Sequence, residues 1–528
     1  MVFRSVFPDI EIPSTSLPSF VLEHAAEFGE KPALIDGPSG RTITYAQLGG
    51  MTRALASGLA SRGFGAGDVF AIFSPNVPEY AVAFHGVLTA GGTNTTINSL
   101  ASAQDIENQL RATRARFLLT IPQFLDRALP AAQAAGVEEV FVLGEAVDGT
   151  SAFSSLFATG AAPVDVDVDS AEAIAAMPMS SGTTGFAKVV QLTQRNLVAN
   201  VVQSDAAIAI TPDDVMIGVL PFFHIYGMTV LVNLALRKGA TVVTMPRFDL
   251  DEFLRLMEEH RVTFACLVPP IVLALAKHPA VDKHDLSALE RVMSGAAPLD
   301  ASVCEAAAAR LDCIVLQGYG LTETSPVMSA PTRDPSQGRP ASSGFILPNT
   351  EIRVANLETG EDCAADEDGE IWIRGPQVMK GYLDDPEADA YTLPGDGWLR
   401  TGDIGHADAD GYLYVVDRLK ELIKYRGFQV PPAELEALLV QHPAVADAAV
   451  IPSPDHTAGE VPKAFVVKRA DAEVTEGELM SWVSERVPSY KKVRRVEFID
   501  EIPRSLSGKI LRRVLVDKER AAGSSSSS

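Results

Sequence analysis

The feature that most constrains this chain is a regular alternation of strand-like and helix-like segments between residues 43 and 319. Short apolar runs rich in Val, Ile, Leu and Phe, such as 69–73 and 264–268, are separated by helix-length segments such as 45–62 and 301–310. Parallel strands need a long crossover connection, and a helix is the usual one. The spacing therefore predicts an α/β fold whose large N-terminal domain contains sheets of parallel type.

The pattern changes after Gly338. Two short runs of alternating apolar and polar residues, 351–356 and 369–374, are joined by an acidic segment that contains glycine, which is typical of an antiparallel hairpin. A further strand is predicted at 412–416. We therefore expect a small β-rich subdomain at about 340–417, inside an N-terminal domain of residues 1–417.

A different unit begins at Arg418. Strand-like and helix-like runs of mixed order predict a compact α+β domain over residues 418–522, which is a normal domain size. The glycine and serines of 523–528 predict a disordered tail. The length of 528 residues supports more than one domain, since single hydrophobic cores stop growing at roughly 250–300 residues.

The charge balance excludes some classes of partner. Asp and Glu number 68 against 44 Lys and Arg, so the formal charge is 44 − 68 = −24. Such a chain is not expected to bind nucleic acid or an anionic membrane surface. An anionic substrate would need a locally basic pocket.

Cysteine use and hydropathy predict a cytoplasmic protein. The four cysteines form no Cys-x-x-Cys pair, so neither a disulfide framework nor a zinc site is indicated. The N-terminus lacks the basic and then apolar layout of a secretory signal. Residues 215–236 contain no Asp, Glu, Lys or Arg, but Pro221, His224 and Gly227 interrupt them, so we predict no membrane span.

A loop rich in glycine and hydroxyl groups follows one of the apolar runs and precedes a predicted helix. It offers backbone N–H groups, rotatable donors and a lysine to a phosphate chain. It is not the nucleotide-hydrolase loop, because Gly182 and Gly185 are three residues apart and no Gly-Lys-Ser/Thr ending follows. An ordinary surface loop is the alternative. The candidate phosphate-binding residues are Ser180, Ser181, Gly182, Thr183, Thr184, Gly185 and Lys188.

A second candidate loop follows the strand predicted near residue 314. Its sequence, Gln317-Gly318-Tyr319-Gly320-Leu321-Thr322-Glu323, ends in a hydroxyl and a carboxylate. A carboxylate beside a triphosphate can hold Mg²⁺, and the hydroxyl can donate to a phosphate oxygen. Taken alone, the motif also fits a strand-end turn with a solvated glutamate.

Three further sites carry weaker indications. Asp403 could accept hydrogen bonds from a ribose diol, and Arg418 lies 15 residues later at a strand end. His224 sits in the aromatic cluster 221–227, and such clusters are usually core. Lys509 ends a Ser/Gly loop near the C-terminus, where a surface lysine would be unremarkable.

Taken together and in order, these motifs resemble the acyl-adenylate-forming superfamily of acyl-CoA synthetases, luciferases and peptide-synthetase adenylation domains. The matching stretches are 180–188, 317–323, 401–403, 417–430 and 507–509. The likeness is closest to 4-coumarate-CoA ligases and their bacterial relatives, through residues 222–227, 374–382 and 420–430. It spans residues 20–513.

The resemblance implies a two-step reaction with ATP, Mg²⁺ and coenzyme A, in which an acid becomes an acyl-adenylate and the acyl group then passes to an acceptor. It implies that Lys509 neutralises charge at the reacting phosphorus and that Lys424 and Gln429 act during acyl transfer. In the family the small domain is mobile and presents either the Lys509 loop or the face with Arg426 and Gly427. The remaining implied contacts are Thr183, Thr184 and Lys188 to the β- and γ-phosphates, Thr322 to the α-phosphate, Glu323 to the metal, Gly295, Ala296 and Ala297 to adenine, Gln317, Gly318, Tyr319 and Gly320 around the nucleotide, and Asp403 and Arg418 to ribose.

The same resemblance implies an acyl pocket. Its small lining residues leave room for a flat ring, so an aromatic or cyclic acid is the expected substrate. The catalytic candidate His224 also borders this pocket. The lining candidates are His224, Tyr226, Val230, Ala296, Gly318 and Gly320.

Three positions depart from the family pattern. Val189 and Gln194 stand where the family usually has Gly and His, and Ser99 stands where the coenzyme A ligases usually have Pro. Val189 would be unfavourable if its position required a positive φ. These departures keep two alternatives open: a ligase that passes the acyl group to an amino acid or another amine, and a non-catalytic nucleotide-binding relative.

Overall fold

The computed structural model describes residues 1–157, 166–180, 188–426, 428–455, 457–470, 472–506 and 508–525. The large lobe below comprises the described residues up to 417, and the small lobe those from 418 onward. The strands are, in chain order, β1 (Val2–Arg4), β2 (Pro32–Asp36), β3 (Thr42–Thr44), β4 (Val69–Phe73), β5 (Thr93–Thr96), β6 (Phe117–Thr120), β7 (Glu139–Val142), β8 (Ser151–Ala152), β9 (Ile174–Ala176), β10 (Met179–Ser180), β11 (Lys188–Thr193), β12 (Val215–Gly218), β13 (Thr241–Thr244), β14 (Phe264–Leu267), β15 (Arg291–Ser294), β16 (Ile314–Gln317), β17 (Tyr319–Gly320), β18 (Val327–Ala330), β19 (Phe345–Ile346), β20 (Glu351–Ala355), β21 (Gly369–Arg374), β22 (Gly381–Tyr382), β23 (Leu399–Ala407), β24 (Leu413–Arg418), β25 (Ile423–Tyr425), β26 (Phe428–Val430), β27 (Val445–Asp455), β28 (Gly459–Lys468) and β29 (Arg495–Phe498).

The helices alternate with these strands through most of the large lobe. A π-helical segment, Gly227–Ala235, occupies the middle of the charge-free stretch, and 3₁₀ turns include Thr322–Thr324 and Ser489–Lys491. The α-helices are α1 (Leu17–Val21), α2 (Ala25–Phe28), α3 (Tyr45–Ser61), α4 (Pro78–Thr89), α5 (Ala103–Thr113), α6 (Leu125–Ala135), α7 (Gln194–Ile208), α8 (Leu250–Glu259), α9 (Pro269–Lys277), α10 (Ala301–Leu311), α11 (Pro386–Thr392), α12 (Pro432–Val440), α13 (Glu476–Ser484) and α14 (Arg512–Ser525).

Two mainly parallel sheets form the framework of the large lobe, so the predicted α/β class is confirmed. One has the strand order β10-β11-β9-β5-β4-β6-β7-β8, and the other has the order β16-β15-β14-β12-β13-β2-β3. Their strands are nearly continuous apolar runs, as in Phe70 and Ile72 of β4 and Val242 and Val243 of β13, which are fully buried. Strands covered on both faces require this composition.

An antiparallel sheet of order β1-β20-β21-β23-β24 completes the large lobe. The predicted hairpin is present, because β20 pairs with β21 in an unbroken register from Glu351 opposite Arg374 to Ala355 opposite Glu370. The N-terminal strand β1 adds to the edge of this sheet, with Phe3 opposite Ile352. This pairing over more than 300 residues left no local mark in the sequence, and we did not predict it.

The small lobe has hydrophobic cores of its own. One cluster includes Ile423, Leu435, Val466 and Leu479, and a second joins Phe465 to Leu515. The buried cluster of the large lobe ends, in chain order, at Leu413. The two lobes are therefore packed separately and meet across a surface rather than through a shared core.

Two elements differ from the expectations drawn from the sequence. The sequence analysis missed helix α6, because Pro130 lies inside it and weakens the helical pattern. Gly523 was placed in a disordered tail, but α14 continues to Ser525, since a helix already started at Arg512 can be extended at one hydrogen bond per residue. Residues 526–528 lie outside the described part. In the described residues, no helix is both long and apolar enough to cross a membrane.

Candidate active site

A cleft of about 670 Å³ lies between the lobes. Its walls come from both sides: Tyr319, Asp403 and Ala296 belong to the large lobe, and Lys509 and Arg512 belong to the small lobe. Four polar groups predicted from distant motifs, those of Tyr319, Asp403, Arg418 and Lys509, therefore reach one shared space. Lys188, Thr322 and Glu323 are not among the residues that line it. This arrangement satisfies the main geometric requirement of a site built by two lobes.

Asp403 is a buried carboxylate at the wall of the cleft. It lies on β23 directly opposite Arg418 on β24. The Arg418 guanidinium lies 3.1 Å from Oδ1, and the Tyr319 hydroxyl donates to Oδ2 at 2.5 Å. Because a carboxylate has about four acceptor positions, Asp403 keeps the capacity to accept from two neighbouring hydroxyl groups.

The predicted adenine loop borders the same cleft through Ala296 and Ala297. Ala296 has a φ of 70°, an uncommon conformation for a residue with a side chain. Gln317 holds this loop, since its amide donates to Leu299 O at 2.9 Å and its carbonyl accepts from Leu299 N at 2.8 Å. Gln317 thus acts on the loop, while Gly318 and Gly320 line the cleft directly.

The Lys509 loop is held from within the small lobe. Lys509 N donates to Ser505 Oγ at 3.2 Å, and Arg504 donates to Gly508 O at 2.9 Å while it also pairs with Asp447 at 2.8 Å. Gly508 has a φ of 75°, and a Cβ there would lie 2.9 Å from the Cβ of Val268 in the large lobe. Glycine is therefore required for the close approach that inserts Lys509.

Burial, followed by the positive charge of Arg418, lowers the pKa of Lys509 to about 7. An ammonium in this position has lost its water and faces other cations, so an incoming polyanion relieves both penalties. A lysine with this environment is a candidate functional residue. The arrangement favours binding of a phosphate group at the tip of the Lys509 side chain.

The predicted phosphate loop can be described only at its two ends. Residues 181–187, which include Ser181, Gly182, Thr183, Thr184 and Gly185, lie outside the described residues. Ser180 on β10 pairs with Lys188 on β11, so the two ends of the loop are fixed opposite each other. Val189 lies within β11, opposite Met179, and its φ is not positive, so a β-branched residue is compatible with this position.

Lys188 and Glu323 both contact Tyr382. The Lys188 ammonium lies 4.8 Å from the centre of the tyrosine ring, and the tyrosine hydroxyl donates to Glu323 Oε1 at 2.9 Å. Glu323 is 7% exposed and follows the partly exposed Thr322 in a 3₁₀ turn. These groups lie at the edge of the parallel sheet where β22 pairs with β11.

The acyl-pocket candidates differ in position. The Nδ1 atom of His224 accepts a hydrogen bond from Tyr226 N at 3.3 Å, which leaves the proton of the neutral ring on Nε2. Burial and the charge of Lys509 lower the pKa of His224 to about 4. Tyr226 donates to Met293 O at 3.1 Å, and its ring occupies the space that a Cβ on Gly295 would need. Val230 is fully buried in the π-helical segment.

The other predicted face of the small lobe is not in the cleft. Lys424 and Gln429 lie opposite each other on β25 and β26, and both are exposed. Arg426, in the turn between them, is also exposed and has a φ of 49°. Gly427 lies outside the described residues. The structure therefore brings Lys509 into the site and leaves Lys424, Gln429 and Arg426 outside it.

The sequence reasoning missed several groups that shape the site. Tyr382, Arg504 and Arg512 were not singled out for a role, and each lies in or beside the cleft or the phosphate loop. Arg512 is buried and pairs with Glu421 at 3.0 Å and Glu436 at 2.9 Å. Only their places inside or next to matched motifs could have indicated them, because charge and spacing alone did not distinguish them from surface residues.

Comparison with known proteins supports the family resemblance independently of the cleft geometry. The family described as AMP-binding enzyme matches residues 21–383, and the family described as AMP-binding enzyme C-terminal domain matches residues 434–509. The chain is 42% identical over 524 residues to 4-coumarate–CoA ligase 3 of Oryza sativa subsp. japonica, which covers 98% of this chain and 94% of that protein. The resemblance to 4-coumarate-CoA ligases is confirmed, although this relative is a plant enzyme rather than a bacterial one.

Two solved structures share the fold over nearly the whole chain. ATP-bound MatB from Rhodopseudomonas palustris superposes with a TM-score of 0.87 at 29% identity, covering 96% of this chain and 99% of that one. Amide bond synthetase McbA from Marinactinospora thermotolerans superposes with a TM-score of 0.84 at 28% identity, covering 95% of this chain and 99% of that one.

Proposed function

The chain belongs to the AMP-binding enzyme family, and from that membership and the geometry of the cleft we propose that it activates a carboxylic acid with ATP and transfers the acyl group to coenzyme A. It is an AMP-forming acid ligase that works through an acyl-adenylate. The observation that carries the site assignment is the position of Lys509, which reaches from the small lobe into the same cleft as Asp403 of the large lobe and Arg418 at the boundary between the lobes.

The first half-reaction joins an acid to AMP. A carboxylate oxygen of the acid attacks the α-phosphorus of ATP, and the bond to pyrophosphate breaks. Lys509 supplies positive charge where negative charge accumulates, and Asp403 with Arg418 orients the ribose. Lys188 and the loop it closes hold the outer phosphates. The second half-reaction breaks the bond between acyl carbon and AMP oxygen as the sulfur of coenzyme A attacks that carbon.

Glu323 fits a magnesium ion bound mainly through ATP. Among the described residues, no group of three or more His, Cys, Asp or Glu is placed so that it could hold a metal ion. Mg²⁺ in nucleotide sites commonly takes one or two carboxylates and completes its shell with phosphates and water. The ion would neutralise phosphate charge during attack, and Glu323 would hold it.

The acid is proposed to be aromatic or cyclic. Gly318, Gly320 and Ala296 are small and line the cleft, so a flat ring has room there. The Tyr226 ring, fixed by its hydrogen bond to Met293 O, packs against Gly295 of the adjoining loop. The curated relative with 42% identity is named for 4-coumarate, an acid of this kind. Neutral His224 offers an Nε2 proton to a carboxylate oxygen at the border of this pocket.

Transfer to an amine is the second candidate. It is favoured by the overall likeness to an amide bond synthetase. The unusual Gln194 has a local explanation instead, because its side chain accepts from Leu17 N at 2.8 Å and anchors α1. The Ser99 contact is made by its backbone carbonyl, which accepts from Arg127 at 3.2 Å and which a proline would also supply, so it does not explain the serine. Since the Gln194 departure serves packing, it gives little support to a changed acceptor, and coenzyme A remains the first proposal.

A product-mass assay tests these assignments. Protein is incubated with ATP, Mg²⁺ and a panel of aromatic and aliphatic acids, and then coenzyme A or an amino acid mixture is added. Thioester formation supports the main proposal, whereas amides alone would identify the second candidate. The absence of acid-dependent pyrophosphate release across the panel would instead indicate a nucleotide-binding relative without catalysis.

We propose a cytoplasmic location, with which four unpaired cysteines agree.

A further inference from the structure

Tyr382 occupies an unusual place between two opposite charges. Its ring is 5% exposed, with the Lys188 ammonium 4.8 Å from the ring centre and Glu323 Oε1 2.9 Å from the hydroxyl. The hydrogen bond to Glu323 sets the direction of the hydroxyl. None of the functional motifs predicted a role for this residue.

The position of Tyr382 is built by a two-residue strand. β22 pairs with β11, and Tyr382 lies opposite Val190, two residues after Lys188. Tyr382 N donates to Asp389 Oδ1 at 2.8 Å, and Met379 N donates to Glu323 O at 2.9 Å. The segment 379–382 therefore holds both the backbone and the side chain of Glu323 against the strand that carries Lys188.

The consequence is electrostatic. Lys188 and Glu323 are both largely buried, and at such sites opposite charges attract strongly. A direct ion pair would satisfy each charge and leave neither for a ligand. In the described part of the chain, Lys188 instead meets the ring of Tyr382 and approaches the half-exposed Asp385 at 3.9 Å, while Tyr382 is the residue that donates to Glu323.

We infer that Tyr382 is a positioning residue which separates Lys188 from Glu323 and aims the Glu323 carboxylate, so that the lysine stays free for phosphate and the carboxylate for the cation. This inference rests on the proposed ATP site. The ring acts as a spacer that tolerates a cation on its face, and the hydroxyl acts as a donor that fixes one carboxylate oxygen. The other oxygen, Oε2, would then be available to hold the cation.

Two substitutions separate these roles. Tyr382→Phe keeps the spacer and removes the donor, whereas Tyr382→Leu removes both the hydroxyl and the cation–π surface. The readout is the Mg²⁺ dependence of ATP binding, measured by titration calorimetry without any acid. For Tyr382→Phe we expect the Mg²⁺ concentration at half-saturation to rise about 3- to 10-fold, since a hydrogen bond to a charged group is lost. Metal-free ATP affinity should stay within about twofold.

For Tyr382→Leu, ATP affinity should fall in the absence of Mg²⁺ as well, because Lys188 can then pair with Glu323. The matched control is Tyr45→Phe, another buried tyrosine, whose hydroxyl donates to Ala240 O at 2.6 Å away from the cleft. Thermal unfolding of all variants identifies a loss of folding. A Tyr382→Phe protein with a lowered melting temperature and an unchanged Mg²⁺ requirement would overturn the inference.

A double-mutant cycle completes the test. If Tyr382 acts through Glu323, then Tyr382→Phe should not shift the Mg²⁺ requirement further in a Glu323→Gln background. Additive shifts would contradict the proposed connection. The proposed function is judged separately by acid-dependent pyrophosphate release from the unaltered protein, so an inactive acid panel and a failed Mg²⁺ shift give distinguishable results.

Discussion

The small lobe presents two lysines in opposite situations. Lys509 lies at the end of a loop that is held by hydrogen bonds, and its side chain is inside the cleft next to Arg418 and Asp403. Lys424 lies on the β25–β26 hairpin and is exposed, with its backbone N donating to Glu460 at 2.7 Å. Both lysines are motif residues, yet only Lys509 reaches the cleft. This arrangement of the lobes fits the proposed adenylation step, and the proposed role of Lys424 in acyl transfer would require the small lobe to turn.

The largest expected effect comes from removing the buried lysine. Lys509→Ala should lower acid-dependent pyrophosphate release by about 10²- to 10³-fold, since it deletes a preorganised charge at the reacting phosphorus. ATP affinity should change far less, because the contact gains most of its strength in the transition state. Stopped-flow pyrophosphate detection and ATP titration measure the two quantities. Pyrophosphate release at the unaltered rate would show that Lys509 is not needed for the first half-reaction, and it would contradict the contrast between the two lysines.

Removal of the exposed lysine should slow the second half-reaction and leave the first nearly unchanged. Lys424→Ala is expected to leave the rate of pyrophosphate release within about twofold and to slow thioester formation from preformed acyl-adenylate by about 10- to 100-fold. The reason is that, under the proposed function, its side chain would meet the adenylate only after the small lobe had turned. Single-turnover assays with each half-reaction isolated provide the measurement. If both half-reactions slow equally, Lys424 supports the fold of the lobe and has no separate catalytic role.

The two lysines also show which features of the site the sequence alone can predict. The alternating pattern predicted the parallel sheets, and the family resemblance carried by the ordered motifs implied that Asp403, Arg418 and Lys509 act on one nucleotide. The chemistry of these residues taken singly gave only weak indications. The placement of Lys509 inside and Lys424 outside was implied only as one of two states of a family.

Other features depend on contacts between distant segments, which no local pattern encodes. Tyr382 gains its place through β22 pairing with β11, almost 200 residues earlier in the chain. Gln194 appeared to be a departure that concerned the acceptor, but its partner is the backbone of Leu17. A sequence gives the chemistry of such side chains, and only the folded chain shows which group each one meets.

A backbone substitution next to Lys509 should have a smaller effect on activity than removal of the lysine. Gly508→Ala should reduce pyrophosphate release about 5- to 10-fold, because alanine at a φ of 75° costs on the order of 1 kcal/mol and its Cβ would press on Val268. The thioester step should be little affected. Gly477→Ala in α13 is the control, as a Cβ there meets no atom within 4 Å. Equal activity of the two variants would show that the loop relaxes without displacing Lys509.

The smallest expected effect is a pH dependence that belongs to the buried lysine. Burial and the nearby Arg418 lower the pKa of Lys509 to about 7, so its charge is present below that pH and is lost above it. The kcat/KM for ATP reports the free enzyme and should therefore fall about threefold between pH 6.5 and 7.5. In Lys509→Arg the charge persists across this range, because guanidinium is not deprotonated, and the fall should disappear. His224, with a pKa of about 4, stays neutral throughout and does not contribute. A fall of the same size in Lys509→Arg would assign the titration to another group, and it would remove the electrostatic distinction between the two lysines while leaving their different positions intact.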